Sequence, residues 1–459
     1  MVSIRCGSMP EPDQRTAQRP RRHIDQPRLI AFDALRAINS GGGYANLVTA
    51  DMAHGLQHRD AGFVIELVHG TCRMQGSYDR IIEHASGRAL SDLQAPVLDV
   101  LRLACHQLFR MRVPTHAAVA SSVDLAGVAI SERVTGLVNA IVRKLSRKDF
   151  DEWCDEIGAG FGDRADMALR FAHPRWIVDA LADALQSDDD ELAALLEADN
   201  EPPIPMLVVR PGLAKRPELM TEGARRTPWS PWGVERPGNP SELPAIRQGR
   251  AGVQDEGSQL VVQAATAVTP RLKGPWLDLC AGPGGKSALL RGLCPSVLIA
   301  AEPQPHRAEL VAHALRAYPG GYQVVVADGR HPAWAPASMA LTLADVPCTG
   351  LGALRRRPES RWRRDKSQVT ELAELQRELL DQAIASTMPG GLVAYVTCSP
   401  HRAETIDVVA GAQGVEILDA PSMIPEVPEA ASRLDDRFIQ LWPHIHGTDA
   451  MFCALLCRT

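Results

Sequence analysis

Ten cysteines are spread from Cys6 to Cys457, yet no two stand as a CxxC pair. That absence excludes a zinc ribbon, and the dispersed spacing fits no disulfide framework. It fits the reduced thiols of a cytosolic chain. Aromatics make up only 5%, which excludes an extended base-stacking surface. No run approaches the ~18 consecutive apolar residues of a membrane helix. The polar, basic N-terminus lacks the apolar centre of a signal peptide. Excess positive charge is missing too. A formal net charge of -6 excludes a protein that coats nucleic acid by bulk charge, but leaves room for a local basic groove. What remains is an ordinary globular composition, 45% apolar and 23% charged, over 459 residues, enough for about three domains.

Residues 1–28 hold six arginines against Glu11, Asp13 and Asp25, with Pro10, Pro12, Pro20 and Pro27, and read as a disordered basic tail. From 29 to 150 the pattern is helical. In VLDVLRLACHQLFRMRV, Leu98, Leu101, Cys105 and Leu108 recur at three- and four-residue steps and predict one apolar helix face. Arg102, Arg110, Arg112, Arg143, Lys144, Arg147 and Lys148 are candidates for an RNA face of this all-α unit or for a solvated helix surface. Residues 151–250 begin as helices. They then become proline-rich from Pro202 to Pro244, a small loop-rich linker or subdomain with a candidate role in RNA recognition.

From 251 to 459 short apolar runs alternate with helical stretches: WLDLC (276–280), VLIAA (297–301), YQVVVA (322–327), ALTLAD (340–345) and LVAYVT (392–397). This alternation predicts an α/β, doubly wound, mostly parallel sheet. In ELAELQRELLDQAIAS, Leu372, Leu375, Leu379 and Ala383 are expected on one helix face. FIQLWP (438–443) and AMFCALLC (450–457) are expected to form an antiparallel hairpin at the sheet edge.

LDLCAGPGGKS (277–287) follows the first of these strands and opens a helix, so Gly282, Gly284 and Gly285 bring backbone close to a ligand at a strand's carboxyl end. It is not a P-loop, because Cys280 stands where the first glycine belongs. Nor is it a dinucleotide fingerprint, because Ser287 stands where the last one belongs. A nucleoside-type ligand with little phosphate remains. Glu302, Asp328 and Asp345 end the next three strands, where carboxylates would meet such a ligand.

Cys348, in Asp345-Val346-Pro347-Cys348, and Cys398, in Thr397-Cys398-Ser399-Pro400, sit at two successive strand ends in polar turns. Cys105, Cys154, Cys294, Cys453 and Cys457 read as small core hydrophobes. The chemistry that wants a thiol, an acid and a methyl donor together is pyrimidine C5 methylation. A thiolate adding to C6 makes C5 nucleophilic, and a carboxyl group near N3 favours the addition. Between the cysteines, Arg355, Arg356, Arg357, Arg361, Arg363, Arg364 and Lys366 face only Glu359 and Asp365. The run is expected to contact RNA phosphates. Trp362 would stack on a base or pack in the protein.

These motifs together resemble the RNA cytosine-C5 methyltransferases: CAGPGGK (280–286), DVPC (345–348), TGLGALRRRP (349–358), TCSP (397–400) and VQDEGSQL (253–260). FVIELVHGT (63–71), VPTHAAV (113–119) and GLVNAIVRK (136–144) resemble the NusB-like RNA-binding domain. The pairing is that of the bacterial Sun/Fmu (RsmB) small-subunit rRNA methyltransferases, and the likeness covers about residues 29–459. It implies a Rossmann-like class I methyltransferase domain with S-adenosylmethionine held by Cys280, Ala281, Gly282, Pro283, Gly284, Gly285, Lys286, Glu302, Arg307, Asp328 and Asp345. It implies Cys398 as nucleophile, Cys348 as the thiol that helps release, and Asp345 facing the cytosine. The chain departs from the family at Pro400-His401-Arg402-Ala403-Glu404, where a Pro-Glu-Glu-Asn stretch is frequent, and at Glu302, where Asp is more usual.

The expected protein is therefore a cytoplasmic monomer that methylates C5 of a cytidine in 16S rRNA, without metal or membrane. Two rivals stand beside it: a tRNA cytosine-C5 methyltransferase, and a non-catalytic RNA-binding assembly or antitermination factor. The intact cysteines and acidic trio oppose the second, and the NusB-like half opposes the first.

Overall fold

A computed structural model describes residues 22–268 and 273–459. Most of the expected basic tail lies outside those residues. Its last part is ordered, which corrects the reading of 1–28 as one disordered stretch. Arg22 donates to Glu132 and Asp124, both at 2.7 Å. The Asp25 carboxylate accepts from Arg28 N at 3.0 Å and caps the first helix.

Six helices form the first unit: α1 (Gln26–Gly41), α2 (Ala45–Met52), α3 (His58–Ser86), α4 (Ala95–Phe109), α5 (Thr115–Ala129) and α6 (Thr135–Leu145). The single apolar face expected for α4 is too narrow. Val97, Val100, Leu101, Leu103, Ala104 and Cys105 are all buried, and so are Asp99, Arg102, His106 and Gln107. A helix enclosed on nearly all sides must pair its polar groups. Arg102 meets Asp79 at 2.7 Å and Asp99 at 3.2 Å, which removes it from any RNA face.

Four more helices follow: α7 (Phe150–Gly158), α8 (Asp163–Arg170), α9 (Arg175–Leu185) and α10 (Asp189–Ala198). Asp149 and Glu152 close a capping box at the start of α7. Ile177, Val178, Leu181, Leu192 and Leu195 from α9 and α10 pack against Leu351, Leu354 and Trp442, tying this segment to the C-terminal unit.

The proline-rich stretch is more regular than its composition predicts. β1 (Met206–Val209), β2 (Arg225–Arg226), β3 (Gly233–Glu235) and β4 (Ala251–Val253) pair antiparallel in the order β2-β3-β1-β4. Strands of two to four residues are too short to show alternation, and their pairing partners lie far apart in sequence. Leu207, Val209, Leu219, Val234 and Leu243 form their core. The short helix α11 (Pro244–Arg247) precedes β4.

The C-terminal unit opens with α12 (Glu256–Ala267) and then alternates: β5 (Trp276–Asp278), α13 (Gly285–Leu293), β6 (Leu298–Ala301), α14 (Pro305–Leu315), β7 (Tyr322–Val325) and β8 (Met339–Asp345). The turn α15 (Ser360–Arg363), α16 (Ser367–Ser386), β9 (Thr387–Thr397), β10 (Val415–Ile417), β11 (Ile439–Gln440) and β12 (Phe452–Arg458) complete it. The strand order is β10-β12-β9-β8-β5-β6-β7. β7, β6, β5, β8 and β9 are parallel, and β12 runs antiparallel to β9 and β10.

The sheet is therefore doubly wound, as expected. Trp276, Leu341, Leu392 and Ala394 face a layer containing α12, α13 and α14. Leu277, Val393, Tyr395 and Phe452 face a layer containing α16. The expected hairpin exists, since β11 pairs with β12, but it is not the edge. β12 is buried along Phe452–Leu456 and needs a neighbour on each side, so β10 takes the edge. On α16 the buried face runs through Val369, Ala373, Gln376, Leu380 and Ala383. Leu379 lies within it, while Leu372 and Leu375 are only half-buried.

Candidate active site

The strand order reverses between β5 and β8. All the loops that carry the sequence-predicted site residues leave the carboxyl ends of β5, β6, β7, β8 and β9. Open α/β sheets bind ligands at such a crevice.

The turn after β5 is built around its glycines. A Cβ on Gly282 would stand 2.2 Å from Glu302 Oε2, and one on Gly284, at φ +102°, would stand 2.7 Å from Ala314 Cβ and 2.9 Å from Val311 Cα. Gly284 therefore requires glycine, while a side chain at 282 would push the Glu302 carboxylate and the Arg307 guanidinium aside. Gly285 is different: its nearest neighbour would be Gln254 at 3.9 Å, so space is left open there.

Glu302 is buried and accepts from Gly282 N and Gln304 N, each at 3.1 Å. Arg307 donates to Gly282 O at 2.8 Å and brings its guanidinium to 3.7 Å from Glu302. Asp328 is half-exposed, and its hydrogen bonds from Arg330 hold its pKa at about 2. Lys286, from the first turn of α13, donates to Asp345 Oδ2 at 2.8 Å. Burial pulls the Lys286 ammonium down, but Asp345 more than restores it. Beneath the turn, burial pushes Asp278 up to about 7, although it accepts from Ser287 Oγ at 2.6 Å.

The two predicted cysteines meet. Cys348 Sγ lies 3.4 Å from Cys398 Sγ, and both are half-buried free thiols. The S–H of Cys348 lowers the pKa of Cys398, aided by Lys286. The reciprocal hydrogen bond, burial and Glu404 raise that of Cys348. The pair is polarised: the surroundings disfavour a thiolate on Cys348 and ease one on Cys398. The other cysteines differ. Burial pushes the Cys280 thiol well above its usual range. Cys105, Cys154, Cys294 and Cys453 are core residues, while Cys457 is only half-buried.

The arginine run corrects its expected role in large part. Arg361 is fully buried and donates to Ala172 O, Asp199 O and Asn200 Oδ1 at 3.1, 3.1 and 2.8 Å. Arg355 and Arg356 pair with Asp255 and Asp449. Arg363 spends its guanidinium on Ile38 O, Gly42 O and Gly43 O. Trp362 donates from Nε1 to Cys72 O at 2.7 Å and packs against the first helical unit. These groups engage main-chain carbonyls and buried carboxylates inside the protein, which turns Arg355, Arg356 and Arg361 away from the expected phosphate role. Of the six arginines named, Arg357, over the Tyr44 ring at 5.3 Å, and Arg363 are exposed, and Arg364 is half-exposed.

Sequence reasoning overlooked Glu404, Gln376, Thr349, Gln254 and the Asp255–Asp449 pair. Gln254 and Asp255 lay inside VQDEGSQL and Thr349 opened TGLGALRRRP, so these were within reach of a motif signal, while Gln376 and Asp449 were not. Gln254 stands out. Its Oε1 is buried beside the glycine turn without a partner among the described residues, as expected of a group waiting for a polar ligand. With the open side of Gly285 and the carboxylates of Glu302 and Asp328, the turn fits a nucleoside cofactor.

A glycine turn of this kind at the switch point of a β7-β6-β5-β8-β9-β12-β10 sheet defines a class I methyltransferase. Residues 265–457 match the family described as 16S rRNA methyltransferase RsmB/F, and residues 25–147 match the NusB family. The chain is 46% identical over 452 residues to the putative methyltransferase Rv1407 of Mycobacterium tuberculosis, covering 95% of this chain and 98% of that one. It is 30% identical over 383 residues to ribosomal RNA small subunit methyltransferase B of Cronobacter sakazakii, covering 81% and 86%. The solved structure of PH0851 shares the fold with a TM-score of 0.78 at 20% identity, covering 95% of this chain and all of that one. The chain belongs to the RsmB/F methyltransferase family and carries a NusB-family domain before its catalytic unit. Its cofactor is S-adenosylmethionine.

Proposed function

We propose that this chain methylates C5 of a cytidine in 16S ribosomal RNA through a covalent bond between Cys398 and C6. The observation that carries the reading is the polarised cysteine pair, 3.4 Å apart, beside the Lys286–Asp345 ion pair. The names of relatives such as the Cronobacter protein support the RNA class.

Cys398 Sγ adds to C6 as the thiolate, and the electron pair of the C5–C6 double bond moves toward C5 and N3. Asp345 lies at the mouth of the same crevice, where its carboxyl group shares a proton with N3 and stabilises the adduct. Glu302, Asp328 and the residues 280–286 would hold S-adenosylmethionine, which would supply the methyl group for C5. Loss of the C5 proton to water then re-forms the C5–C6 double bond and expels Cys398 as the thiolate. The Cys348 S–H donates a hydrogen bond to the departing sulfur and keeps its proton, which restores the resting pair. The base must leave its stack to reach the pair, so unpaired RNA is the substrate form. Arg357, Arg364, the helical unit at 29–150 and the linker and small subdomain at 151–250 would hold RNA phosphates.

The test is incubation with S-adenosylmethionine and, in parallel, ribosomal RNA and tRNA from a strain lacking the modification, followed by bisulfite sequencing. A new 5-methylcytidine in 16S RNA is expected. Modification of tRNA alone, or none, rejects this reading. Cys398→Ala should abolish transfer, and Cys348→Ala should trap a protein–RNA adduct that gel electrophoresis resolves. An adduct that depends on Cys348 instead would reverse the two roles.

A further inference from the structure

The loop that follows Cys348 meets the Cys398 turn through main chain where Gly352 N donates to Cys398 O at 2.9 Å. Both turns also lean on one side chain. Glu404 is fully buried in the short turn after Cys398. Its Oε1 accepts from Thr349 N at 2.8 Å and from Gln376 Nε2 at 3.1 Å. Its Oε2 accepts from Ser399 Oγ at 2.6 Å and from Thr349 Oγ1. Thr349 follows Cys348, and Ser399 follows Cys398. The two hydroxyls lie 3.1 Å apart, while Gln376 also donates to Pro347 O at 2.8 Å. Tyr395 OH fixes the base of the turn by donating to Glu404 O at 2.7 Å.

We propose that Glu404 is the positioning residue of the cysteine pair: its carboxylate clasps the turn after β8 to the turn after β9 and holds the Cys348 thiol against Cys398. The inference rests on the cysteine mechanism proposed above. Four donors satisfy the carboxylate, and all four are neutral. An isolated buried carboxylate is costly, and four hydrogen bonds are the condition for keeping it. That charge has a consequence at the pair. It faces Cys348 and opposes a thiolate there, in the same sense as Asp345. Cys398 instead faces Lys286, with Asp345 and Asp449 opposing. The clasp therefore sets both the distance between the sulfurs and which of them holds the proton.

The experiment uses the full chain and needs no RNA. Iodoacetamide is added across a pH series, and site-resolved mass spectrometry follows Cys348 and Cys398 separately. Wild type is expected to lose Cys398 first, with a pH midpoint below the ordinary thiol value of about 8.5. Glu404→Gln keeps the clasp, because the hydroxyls of Thr349 and Ser399 can turn to accept from the amide, but it removes the charge. Its preference for Cys398 over Cys348 should fall about tenfold. Glu404→Ala releases the turns, so the preference should vanish and the Cys398 midpoint should rise to the ordinary range. Methyl transfer by Glu404→Ala should lose kcat while KM for S-adenosylmethionine stays within about threefold, with Glu404→Gln intermediate.

Calorimetry with S-adenosylmethionine checks that each variant is folded. Unchanged preference and midpoint in a Glu404→Ala chain that binds the cofactor overturn the proposal. If that variant does not bind, an unchanged preference in Glu404→Gln overturns it instead. Failure of the underlying mechanism looks different: Cys398→Ala would retain transfer whatever the alkylation shows.

Discussion

Gly352 shows how little room a single residue has at this site. Its N donates to Cys398 O at 2.9 Å, and its O accepts from Ala450 N at 2.8 Å. A Cβ there would lie 2.0 Å from Ala450 O and 2.9 Å from Cys398 O. Main chain cannot swing aside as a flexible side chain does. Gly352→Ala is expected to cost about 1–3 kcal/mol of stability by denaturant unfolding. It should lower transfer further, because the carbonyl displaced belongs to Cys398, the proposed nucleophile. Asp278 makes a different residue-scale statement. Its folded pKa of about 7 stands above the unfolded value of about 3.9. The native state therefore binds a proton that the unfolded chain has released between those two values, so stability falls as the pH rises through that window. Asp278→Asn cannot ionise and should lose less stability between pH 5 and pH 8 in urea titrations. An undiminished slope would place the pH dependence elsewhere.

At the scale of elements, the site is held by crossings rather than by any one strand. The segment after Cys348 carries Arg355 and Arg356 into a buried cluster with Asp255, at the start of α12, and Asp449, just before β12. Asp449 N closes the cluster on Asp255 Oδ2 at 3.0 Å. Removing one member of a buried ion cluster strands the others. Asp449→Ala is expected to destabilise by about 3–5 kcal/mol, measured as a lower denaturation midpoint with an unchanged slope. Replacing only the exposed Arg357 should stay within about 0.5 kcal/mol. The α16 helix follows the same logic. Its buried face is rotated from the simple apolar pattern because Gln376 must reach Pro347 O and Glu404.

At the scale of the whole molecule, the arginine run is a latch. Arg361 enters the carbonyls of α8–α10 and the loops beside them, while Trp362 and Arg363 enter the first helical unit through Cys72 O, Ile38 O, Gly42 O and Gly43 O. Residues that leave the Cys348 turn thus bind the N-terminal half directly. Trp362→Ala should separate a single thermal transition into two, with about 3 kcal/mol lost from the first unit's docking. RNA binding offers a second check. A phosphate contact contributes about one unit to the salt slope of affinity. Arg357→Ala and Arg364→Ala should each lower that slope by about one, and Arg361→Ala should lower thermal stability and leave the slope alone.

Much of this was legible along the chain. Alternating apolar runs marked β5 to β9, because a buried parallel strand must be apolar whatever surrounds it. The glycines, the carboxylates at strand ends and the two cysteine turns were legible for the same kind of reason, since each local conformation and chemistry narrows the residue choice. The antiparallel sheet over 206–253 was not legible, because its strands are shorter than any period they could display. Nor was the fate of the arginines. A cationic run looks alike whether it faces phosphate or buried groups, and partners 92 to 325 residues away decide between them. The sequence by itself determined the class of fold, the cofactor turn and the two thiols, through rules that act within a few residues. Only the tertiary structure decided that the thiols lie 3.4 Å apart, that Glu404 clasps their turns and that the arginines lock the halves together. Those are distances between segments, and no local rule contains them.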